Sequence, residues 1–453
     1  MSRASGLPTI VTDAAPEGGV ERAFAAQLQG LRATPPLALA VSGGGDSAAM
    51  LHLVADWARD AGHDLPSISV LTVDHGLRAS SCAEAEQVGL WAGALGFTPH
   101  ILTWGGDKPD AGLQAAARAA RRDLLCRWCR DHDVAQLLMA HTADDQVETV
   151  GMRLMRGSGT AGLGGMAAAA DAPFGVCILR PLLGVTRADL RNWLRARDLP
   201  WIDDPSNDNA AFERIRMRQA LESDGATGAR IAALALEAGA ARTALDHAAD
   251  ALLLGAVMLH PAGWARADLR TFAAAPRSVA DHALARLLRG LGGRAHPPHR
   301  DSLARLWGAL GGNEFTGATL AGCRIVPEGP NSALFGRETR NLSPLALTAR
   351  QWSLWDHRFE IWSPAPARVL PLAAVGLDAF PGEARERVKT AAPPPFRGAL
   401  PVVEDAEGRL VLPHGGIGVG TGREEELQVI FSAVRPFGPL APDGAPPEVA
   451  KRT

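Results

Sequence analysis

Three short stretches of the chain carry residues whose types and spacing suit phosphate and amine chemistry. The first is the glycine-rich stretch Ser42–Ser47, which lies between an apolar run and a helical pattern. Glycines let a backbone approach phosphate oxygens closely, and a helix N-terminus offers free N–H groups to an anion. A carboxylate in such a loop makes chemical sense if a divalent metal lies between it and the phosphates. The predicted phosphate-binding residues are Ser42, Gly43, Gly44, Gly45, Asp46 and Ser47, and Asp46 is also the predicted metal ligand.

Other interpretations of this glycine-rich stretch fit less well. A strand-to-helix turn without any ligand would use the same glycines. The pattern Gly43-x-Gly45-x-x-Ala48 also matches a dinucleotide fingerprint. That fingerprint expects an acidic residue about 20 positions later, whereas Asp74 lies 29 positions after Gly45. A Walker loop is excluded because none of the three lysines follows a suitable glycine-rich run. The pattern favours a loop that holds the pyrophosphate of ATP while the α–β bond breaks.

The other two stretches are residues 74–76 and residues 141–149. The later one places Asp144, Asp145 and Glu148 at the start of a predicted helix. Asp144 and Glu148 are one turn apart and share a face. Acidic residues at a helix N-terminus also suit simple dipole-stabilised capping. If they share a sheet edge with the phosphate-binding loop, they can instead hold a metal or an amine.

A scaffold must bring these stretches together, and residues 37–154 have the pattern of one. Short apolar runs alternate there with longer helical patterns, which predicts a doubly wound parallel sheet. Ligands of such sheets bind at the carboxyl ends of the strands. The predicted strands are Leu37–Val41, Ile68–Val73, His100–Trp104 and Gln136–Ala140, so each of the three stretches directly follows a strand.

Further motifs follow in order along the chain. They are Arg156-Gly-Ser-Gly159, Arg180-Pro-Leu-Leu183, Asp204-Pro-Ser-Asn207 and the arginine-rich segment Phe212–Arg218. With the earlier stretches, they make residues 37–218 resemble the tRNA(Ile)-lysidine synthase family of the N-type ATP pyrophosphatase superfamily. Two positions depart from the usual family pattern. Thr142 stands where a second adjacent histidine is common, and Ile215 stands where asparagine is common.

The resemblance implies a fold, a reaction and partners. The implied fold is an adenine nucleotide α hydrolase-like α/β domain, followed by a helical domain and a smaller C-terminal α+β domain. The implied reaction uses ATP and Mg²⁺ to attach free lysine to C2 of the wobble cytidine in the isoleucine tRNA with a CAU anticodon. ATP first adenylates the tRNA, and the lysine amine then displaces AMP.

The resemblance also implies roles for individual residues. The catalytic set is Asp46, Asp144, Asp145, Glu148, His141 and Arg118, in which the carboxylates of 144, 145 and 148 place the lysine amine. Asp74 and His75 join the glycine-rich loop in binding the nucleotide. Guanidinium groups suit the phosphates of tRNA, and the implied contacts are Arg121, Arg122, Arg214, Arg216 and Arg218. Arg187, Arg191 and Arg195 repeat every four residues and fit a solvated helical face equally well.

Two alternatives compete with this function. A tRNA thiolase of the same superfamily would hold an iron–sulfur cluster on Cys126, Cys129 and Cys177. Cys126 and Cys129 fall in mid-helix, however, where small apolar cysteines more often belong to a core. A non-catalytic tRNA-binding protein with a degenerate ATP site is the other alternative. The intact loop at 42–47 and the acidic pair Asp144-Asp145 argue against it.

The composition sets wider bounds. A chain of 453 residues is long enough for two or three domains, and a formal charge of −3 gives no global signal for nucleic-acid binding. Five cysteines favour a reducing compartment. No signal peptide or membrane span is predicted, so we expect a cytoplasmic protein with no membrane partner, which could form a homodimer. The predicted divisions are 1–30 as an extension, 31–218 as the catalytic domain, 219–315 as a helical domain and 316–453 as a C-terminal domain with a tail.

Overall fold

The computed structural model describes most of the chain. The described residues are 19–77, 80–106, 108–109, 112–155, 163–203, 217, 225–294, 296–312, 315–415 and 427–432. They form two compact units with a boundary between residues 243 and 244, except that residues 173–175 group with the second unit. Among the described residues, no helix has both the length and the apolar composition that crossing a membrane requires.

The first unit is built on a sheet of six strands in the order β3-β2-β1-β4-β6-β5. Its strands are β1 Leu37–Ala40, β2 Ile68–Asp74, β3 Thr98–Thr103, β4 Gln136–Met139, β5 Ala169–Asp171 and β6 Cys177–Leu179. All neighbouring pairs are parallel except β5–β6, which is antiparallel. The predicted parallel α/β sheet is thus confirmed, with one antiparallel strand at its edge.

Helices follow the strands as the alternating pattern predicts. The helices of this unit are α1 Gly19–Gly30, α2 Gly45–Asp60, α3 Ser81–Leu95, α4 Leu113–Asp131, α5 Ala143–Met155 and α6 Arg187–Arg195, and α7 Gly225–Ala256 begins in it. Strand β1 is fully buried because it lies in the middle of the sheet, with a helical layer to cover its apolar side chains. The order of the strands reverses between β1 and β4, and the loops after these two strands therefore border the crevice in which such sheets bind ligands.

The predicted N-terminal extension, residues 1–30, overlaps this unit. In the described part, α1 packs Phe24 and Leu28 into the same core as strand β1 and helix α2. Both side chains are almost fully buried, at 1% and 0% exposure. Burying them is worth about 1.5–3 kcal/mol each. Residues 19–30 are therefore part of the catalytic fold and not an appendage to it, so the prediction was wrong for this helix.

The second unit mixes helices with three small sheets. Besides the end of α7, its helices are α8 Leu269–Ala274, α9 Arg277–Gly292, α10 Arg300–Leu310, α11 Leu372–Val375, α12 Gly382–Ala391 and α13 Pro394–Arg397. Its strands are β7 Val257–His260, β8 Trp264–Asp268, β9 Ala318–Leu320, β10 Cys323–Gly329, β11 Ser332–Arg337, β12 Leu345–Leu347, β13 Gln351–Trp355, β14 Phe359–Ser363, β15 Ala367–Pro371, β16 Pro401–Asp405, β17 Leu410–Val411 and β18 Gln428–Phe431. Its three sheets run β7-β8-β11-β10-β9, β12-β15-β16-β17 and β13-β14-β18.

The prediction of a helical domain at 219–315 was wrong for residues 257–268. Strands β7 and β8 form an antiparallel hairpin there, and β8 pairs with β11. Gly263 makes the turn with a φ of +77°, a conformation that glycine adopts easily. The alanine- and arginine-rich composition hid this hairpin, whose strands are stabilised by pairing with residues far along the chain. One sheet consequently draws strands from both sides of residue 315.

Candidate active site at the carboxyl edge of the first sheet

The phosphate loop, residues 42–47, leaves β1 and enters α2 as predicted. Its two serines bind each other, since the Ser47 hydroxyl lies 3.2 Å from the Ser42 hydroxyl and accepts the Ser42 N–H at 3.2 Å. The Ser47 hydroxyl also donates to the Gly44 carbonyl at 3.0 Å. No side chain caps the N-terminus of α2, because the N-cap residue is Gly44. The first N–H groups of α2 are thus offered to an anion.

Gly43 is the position in this loop that requires glycine. Its φ is +87°, and a Cβ placed on it would come within 2.8 Å of the Ile202 side chain. The Gly43 carbonyl also accepts a hydrogen bond from the Ile202 N–H at 2.9 Å. Beside Gly45 lie the side chains of Trp201 and Arg191. The segment after α6 therefore packs over the phosphate loop and fixes its shape.

The predicted carboxylates meet around a single arginine to which the sequence pattern gives no place in the site. The Arg187 guanidinium, at the first residue of α6, donates to Glu148 at 2.9 Å, to Asp145 at 2.5 Å and to Asp46 at 3.2 Å. Its backbone N–H donates to the Asp144 carboxylate at 2.8 Å. Hence the four predicted carboxylates do converge, and α2, α5 and α6 each supply part of the cluster. We call Asp46, Asp145, Glu148 and Arg187 the carboxylate cluster.

Burial and charge oppose each other in this cluster. Burial disfavours the charged form of Arg187, but attraction to Asp145, Glu148 and Asp46 outweighs that effect and raises its pKa. Burial raises the pKa of Asp46, while Arg187 lowers it and the neighbouring Asp145 raises it further. Within this cluster three carboxylates share one guanidinium, so its own members carry an excess of negative charge.

Asp144 and Asp145 are adjacent in sequence but differ in their contacts. Asp145 is buried and accepts the Thr142 backbone N–H at 2.9 Å, so it caps the start of α5. Asp144 is half-buried, and it accepts the first N–H of a different helix, α6. The capping interpretation is therefore confirmed for Asp145, while the binding interpretation stays a prediction. Thr142, a departure from the family pattern, serves the cap.

His141 is held by a second arginine outside the predicted set. The Nε of Arg180 donates to the Nδ1 of His141 at 3.2 Å, and Arg180 also binds the Ala167 carbonyl at 2.8 Å. Burial lowers the pKa of Arg180 to about 10. A guanidinium on Nδ1 means that this nitrogen acts as an acceptor, which leaves the Nε2 of a neutral ring to carry the proton.

A cavity of about 750 Å³ opens beside the phosphate loop. Its wall includes Ser42, Val73, His75 and Arg121. Burial lowers the pKa of His75, and Arg121 lowers it further. The buried Nδ1 of His75 has no hydrogen-bond partner among the described residues. A cavity of this size next to a helix N-terminus suits a nucleotide.

Asp74 and the arginines of α4 differ in how they relate to this cavity. Asp74 accepts the Gly76 N–H at 2.8 Å and the Ser81 hydroxyl at 2.6 Å, which lower its pKa, so its carboxylate shapes the turn that carries His75. Arg118 and Arg122 are exposed on α4, whereas Arg121 is half-buried and lines the cavity. Arg214, Arg216 and Arg218 lie outside the described residues.

The cysteines of the thiolase alternative do not form a cluster site. Cys126 and Cys129 are buried in α4 at 0% exposure, and burial raises the pKa of both thiols, that of Cys126 to about 12. Metal-binding cysteines need the opposite, a lowered pKa. Over the part of the chain that the structure describes, no three His, Cys, Asp or Glu side chains are grouped as a metal site.

A magnesium site does not require such a group of protein ligands. Mg²⁺ is usually bound by one or two carboxylates together with waters and substrate phosphates, and not by a cage of protein ligands. Asp46 lies in the first turn of α2, directly beside the phosphate loop, and is about a quarter exposed. The residues present therefore fit a metal that arrives with the nucleotide.

Four residues of the site are not predicted by the sequence pattern, namely Arg187, Arg180, Trp201 and Ile202. Arg180 belongs to the motif at 180–183, which by itself indicates no role for the arginine. Arg187 belongs to an arginine repeat that fits a solvated face. The position of Arg187 at the start of a predicted helix could have indicated its role. A cation at a helix N-terminus opposes the helix dipole and therefore needs an acidic partner.

Comparison with known proteins identifies the family of the first unit. The PP-loop domain family matches residues 19–224, a range that contains the phosphate loop, the carboxylate cluster and helix α1. The first unit thus has the fold of a PP-loop domain.

The relatives narrow that class. The tRNA(Ile)-lysidine synthase of Ruegeria pomeroyi is 38% identical over 77% of this chain and 83% of that protein. The enzyme of the same name from Hyphomonas neptunium is 42% identical over 64% of this chain and 78% of that protein. The chain belongs to the tRNA(Ile)-lysidine synthase family. Among solved structures, a tRNA thiolase of Methanococcus maripaludis with its 4Fe–4S cluster matches at 16% identity and a TM-score of 0.40, covering 47% of this chain and 75% of that one.

Proposed function

We propose that this protein makes lysidine in the isoleucine tRNA with a CAU anticodon. The C2 carbonyl oxygen of the wobble cytidine attacks the α-phosphate of ATP, forming adenylated tRNA and releasing pyrophosphate. The ε-amino group of free lysine then attacks C2, the C2–O bond breaks, and AMP leaves. The product carries a new carbon–nitrogen bond, so the protein is a ligase.

The observation that supports this function best is the placement of the carboxylate cluster beside the phosphate loop. A reaction in which ATP activates a carbonyl oxygen and an amine then displaces AMP needs an anion site and a cation site next to each other. The backbone N–H groups at the start of α2 supply the first, and Asp46, Asp145 and Glu148 supply the second. Holding the nucleotide and the amine in one crevice lets the two steps take place in turn on the same base, at a lower entropic cost than in free solution.

At the nucleotide, the proposed roles follow from the geometry. The phosphate loop and the hydroxyl of Ser42 bind the pyrophosphate that leaves. His75 and Arg121 lie in the wall of the cavity, where they can contact the rest of the nucleotide. Asp46 would hold Mg²⁺, which supplies charge neutralisation at the departing pyrophosphate.

In the proposed binding site for the lysine amine, the carboxylates differ in solvent exposure. Asp144 is more exposed than Asp145 and Glu148, which are buried behind Arg187. We therefore expect Asp144 to meet the ε-ammonium group first, with Asp145 and Glu148 providing the negative field behind it. The Arg180 guanidinium, which donates to Nδ1, fixes the orientation of the His141 ring at the end of β4.

For tRNA binding, Arg118 and Arg122 present guanidinium groups at the surface of α4. Together with Arg214, Arg216 and Arg218, they are proposed to bind tRNA phosphates. Removing one arginine that binds a phosphate lowers the slope of log affinity against log salt by roughly one unit or less. Filter binding of a triple alanine variant of the last three residues at several salt concentrations tests this; an unchanged affinity and slope contradicts it.

A cytoplasmic location and a homodimer are part of the same proposal.

The experiment that tests the function is a lysine-dependent AMP release assay with the minor isoleucine tRNA. Wild-type protein is expected to release AMP only when ATP, this tRNA and lysine are all present, and to release pyrophosphate without lysine. Elongator methionine tRNA, which also has a CAU anticodon, is the matched control. AMP release that does not depend on lysine, or sulfur incorporation into the tRNA, would overturn the proposal.

A further inference from the structure

The Arg187 side chain occupies the centre of the carboxylate cluster. Its three kinds of nitrogen, Nε, Nη1 and Nη2, each donate to a different carboxylate, on Asp46, Glu148 and Asp145. The Arg187 side chain is 18% exposed, and each of its guanidinium nitrogens has an acidic partner. A planar fork of five donors suits this arrangement, whereas an ammonium ion offers only a point charge.

Local helix energetics do not explain an arginine at this position. Arg187 is the first residue of α6, where the dipole disfavours a cation by about 0.3–1 kcal/mol. The conventional features of this helix start are Thr186, which caps it, and Asp189, which puts a carboxylate in the first turn. The carboxylates from α2 and α5 therefore account for Arg187, which acts across the site and not within its own helix.

The three arms of the cluster differ in how readily they can exchange. The side chain of Glu148 is 2% exposed, that of Asp145 is 11% exposed and that of Asp46 is 24% exposed. The hydrogen bond to Asp46 is also the longest of the three, at 3.2 Å. Asp46 is thus the partner that Arg187 can release to an incoming cation while the other two hydrogen bonds stay in place.

We propose that Arg187 is a resident counter-cation that competes with magnesium for Asp46. It keeps the three carboxylates together before the nucleotide arrives and suppresses metal binding until the phosphates of ATP supply the remaining oxygen ligands. Arg187 is therefore a positioning residue that makes metal binding dependent on ATP. This inference rests on the proposed metal role of Asp46.

Binding of Mn²⁺ alone tests the competition, with free Mn²⁺ measured by electron paramagnetic resonance. Arg187→Gln is expected to bind Mn²⁺ at least tenfold more tightly than wild type, because the Asp46 carboxylate then loses the guanidinium that competes for it. Adding Asp46→Asn to this variant is expected to abolish the gain. Arg195→Gln removes an exposed arginine two turns further along α6 and is expected to match wild type. Wild-type affinity in Arg187→Gln, or a gain that survives Asp46→Asn, would overturn the inference.

A second measurement separates this inference from the proposed function. With α,β-methylene-ATP present, Asp46→Asn in an otherwise wild-type chain should weaken Mn²⁺ binding at least tenfold. If it does not, Asp46 is not the metal ligand and the proposed role falls, whatever Arg187 does. Should Arg187→Gln fail to fold, Arg187→Lys keeps the charge but cannot reach all three carboxylates at once. It is expected to bind Mn²⁺ alone several-fold more tightly than wild type, and equal affinity would contradict the competition.

Discussion

Each unit of this protein buries a cluster of arginine and acidic side chains, and the two clusters have opposite charge balance. In the first unit, Arg187 faces three carboxylates. In the second unit, the single carboxylate of Asp356 faces two guanidinium groups, those of Arg337 and Arg358, at 3.0 and 2.6 Å. Both clusters are largely closed to solvent.

The difference lies in how the excess charge is satisfied. In the second unit, the spare guanidinium donors bind backbone carbonyls: Arg337 donates to the carbonyls of Gly322, Glu338 and Arg340, and Arg358 donates to that of Ala399. These bonds tie several loops together. In the first unit, the excess is negative and lies beside an anion-binding loop. A buried cluster whose excess charge is hydrogen-bonded to backbone groups stabilises the fold. A cluster whose excess charge faces a crevice can bind a ligand of opposite charge.

The largest expected effect is on the second cluster. Asp356→Asn should destabilise the second unit by about 3–5 kcal/mol, since two buried guanidinium groups lose their counter-charge. Asparagine tolerates the φ of +51° at this position, so the substitution isolates the effect of charge. Urea unfolding measures the loss. Asp378→Asn, at an exposed pair with Arg385, should change stability by less than about 1 kcal/mol. If both variants unfold alike, the second cluster is not structural.

Glu148→Gln should show the reverse behaviour in the first cluster. We expect lysidine formation to fall about 100-fold, because the amine site loses one charge of its field. The free energy of unfolding should change by less than about 1 kcal/mol, since removing one carboxylate from an over-negative cluster relieves repulsion as well as breaking an ion pair. AMP release and urea unfolding measure the two quantities, with exposed Glu86→Gln as control. A stability loss as large as that of Asp356→Asn would make the two clusters alike.

A smaller effect concerns pH and the second unit alone. Burial, helped by the nearby His260 and Arg358, lowers the pKa of His414 to about 4, although a hydrogen bond to the Pro261 backbone acts in the opposite direction. The unfolded chain takes up this proton near pH 6.5 and the folded chain does not, so stability is full above pH 6.5 and falls as the pH drops toward 4.

Substitution of His414 tests that pH dependence. Between pH 6.5 and 4.5, the thermal midpoint of His414→Phe should fall less than that of wild type. The difference should correspond to the uptake of about one proton on unfolding. Exposed His296→Gln should keep the wild-type profile. A profile of His414→Phe that overlays wild type over this range would show that His414 is not the responsible group.

The smallest effect is expected at Cys126 and Cys129. Replacing both by alanine removes two small buried groups from α4 and should cost about 1–2 kcal/mol of stability. The rate of AMP release should remain unchanged, and neither protein should contain iron. A double variant that loses both iron–sulfur absorbance and activity would instead support the thiolase alternative.

The parallel sheet was predictable because its strands are short and apolar and because a helical pattern separates each strand from the next. Strand β1 and the loop after it are local features, read directly from residues 37–47. The hairpin of β7 and β8 was not predictable in this way, since β8 depends on pairing with β11, about 65 residues later in the chain. Helix α1 was missed because Phe24 and Leu28 are the main apolar residues that anchor it, in a segment whose start looked polar.

For the site, residue types allowed prediction of the carboxylates but not of their partner. Asp46, Asp144, Asp145 and Glu148 all follow strands of one sheet, so the topology brings them together. Arg187 reaches them only because α6 packs against α2 and places its N-terminus at the same edge. Spacing along the sequence carries no record of that interaction, which joins residues 141 positions apart.

The hydrogen bond from the Arg187 backbone N–H to Asp144 has a consequence for observing the reaction. This amide proton belongs to α6, yet its acceptor is a side chain proposed to meet the lysine ammonium. When lysine draws that carboxylate away, the proton should exchange with deuterated solvent faster and its nuclear resonance should move, although the lysine never touches it. One backbone amide can thus report occupancy of the amine pocket in the intact enzyme without any attached label.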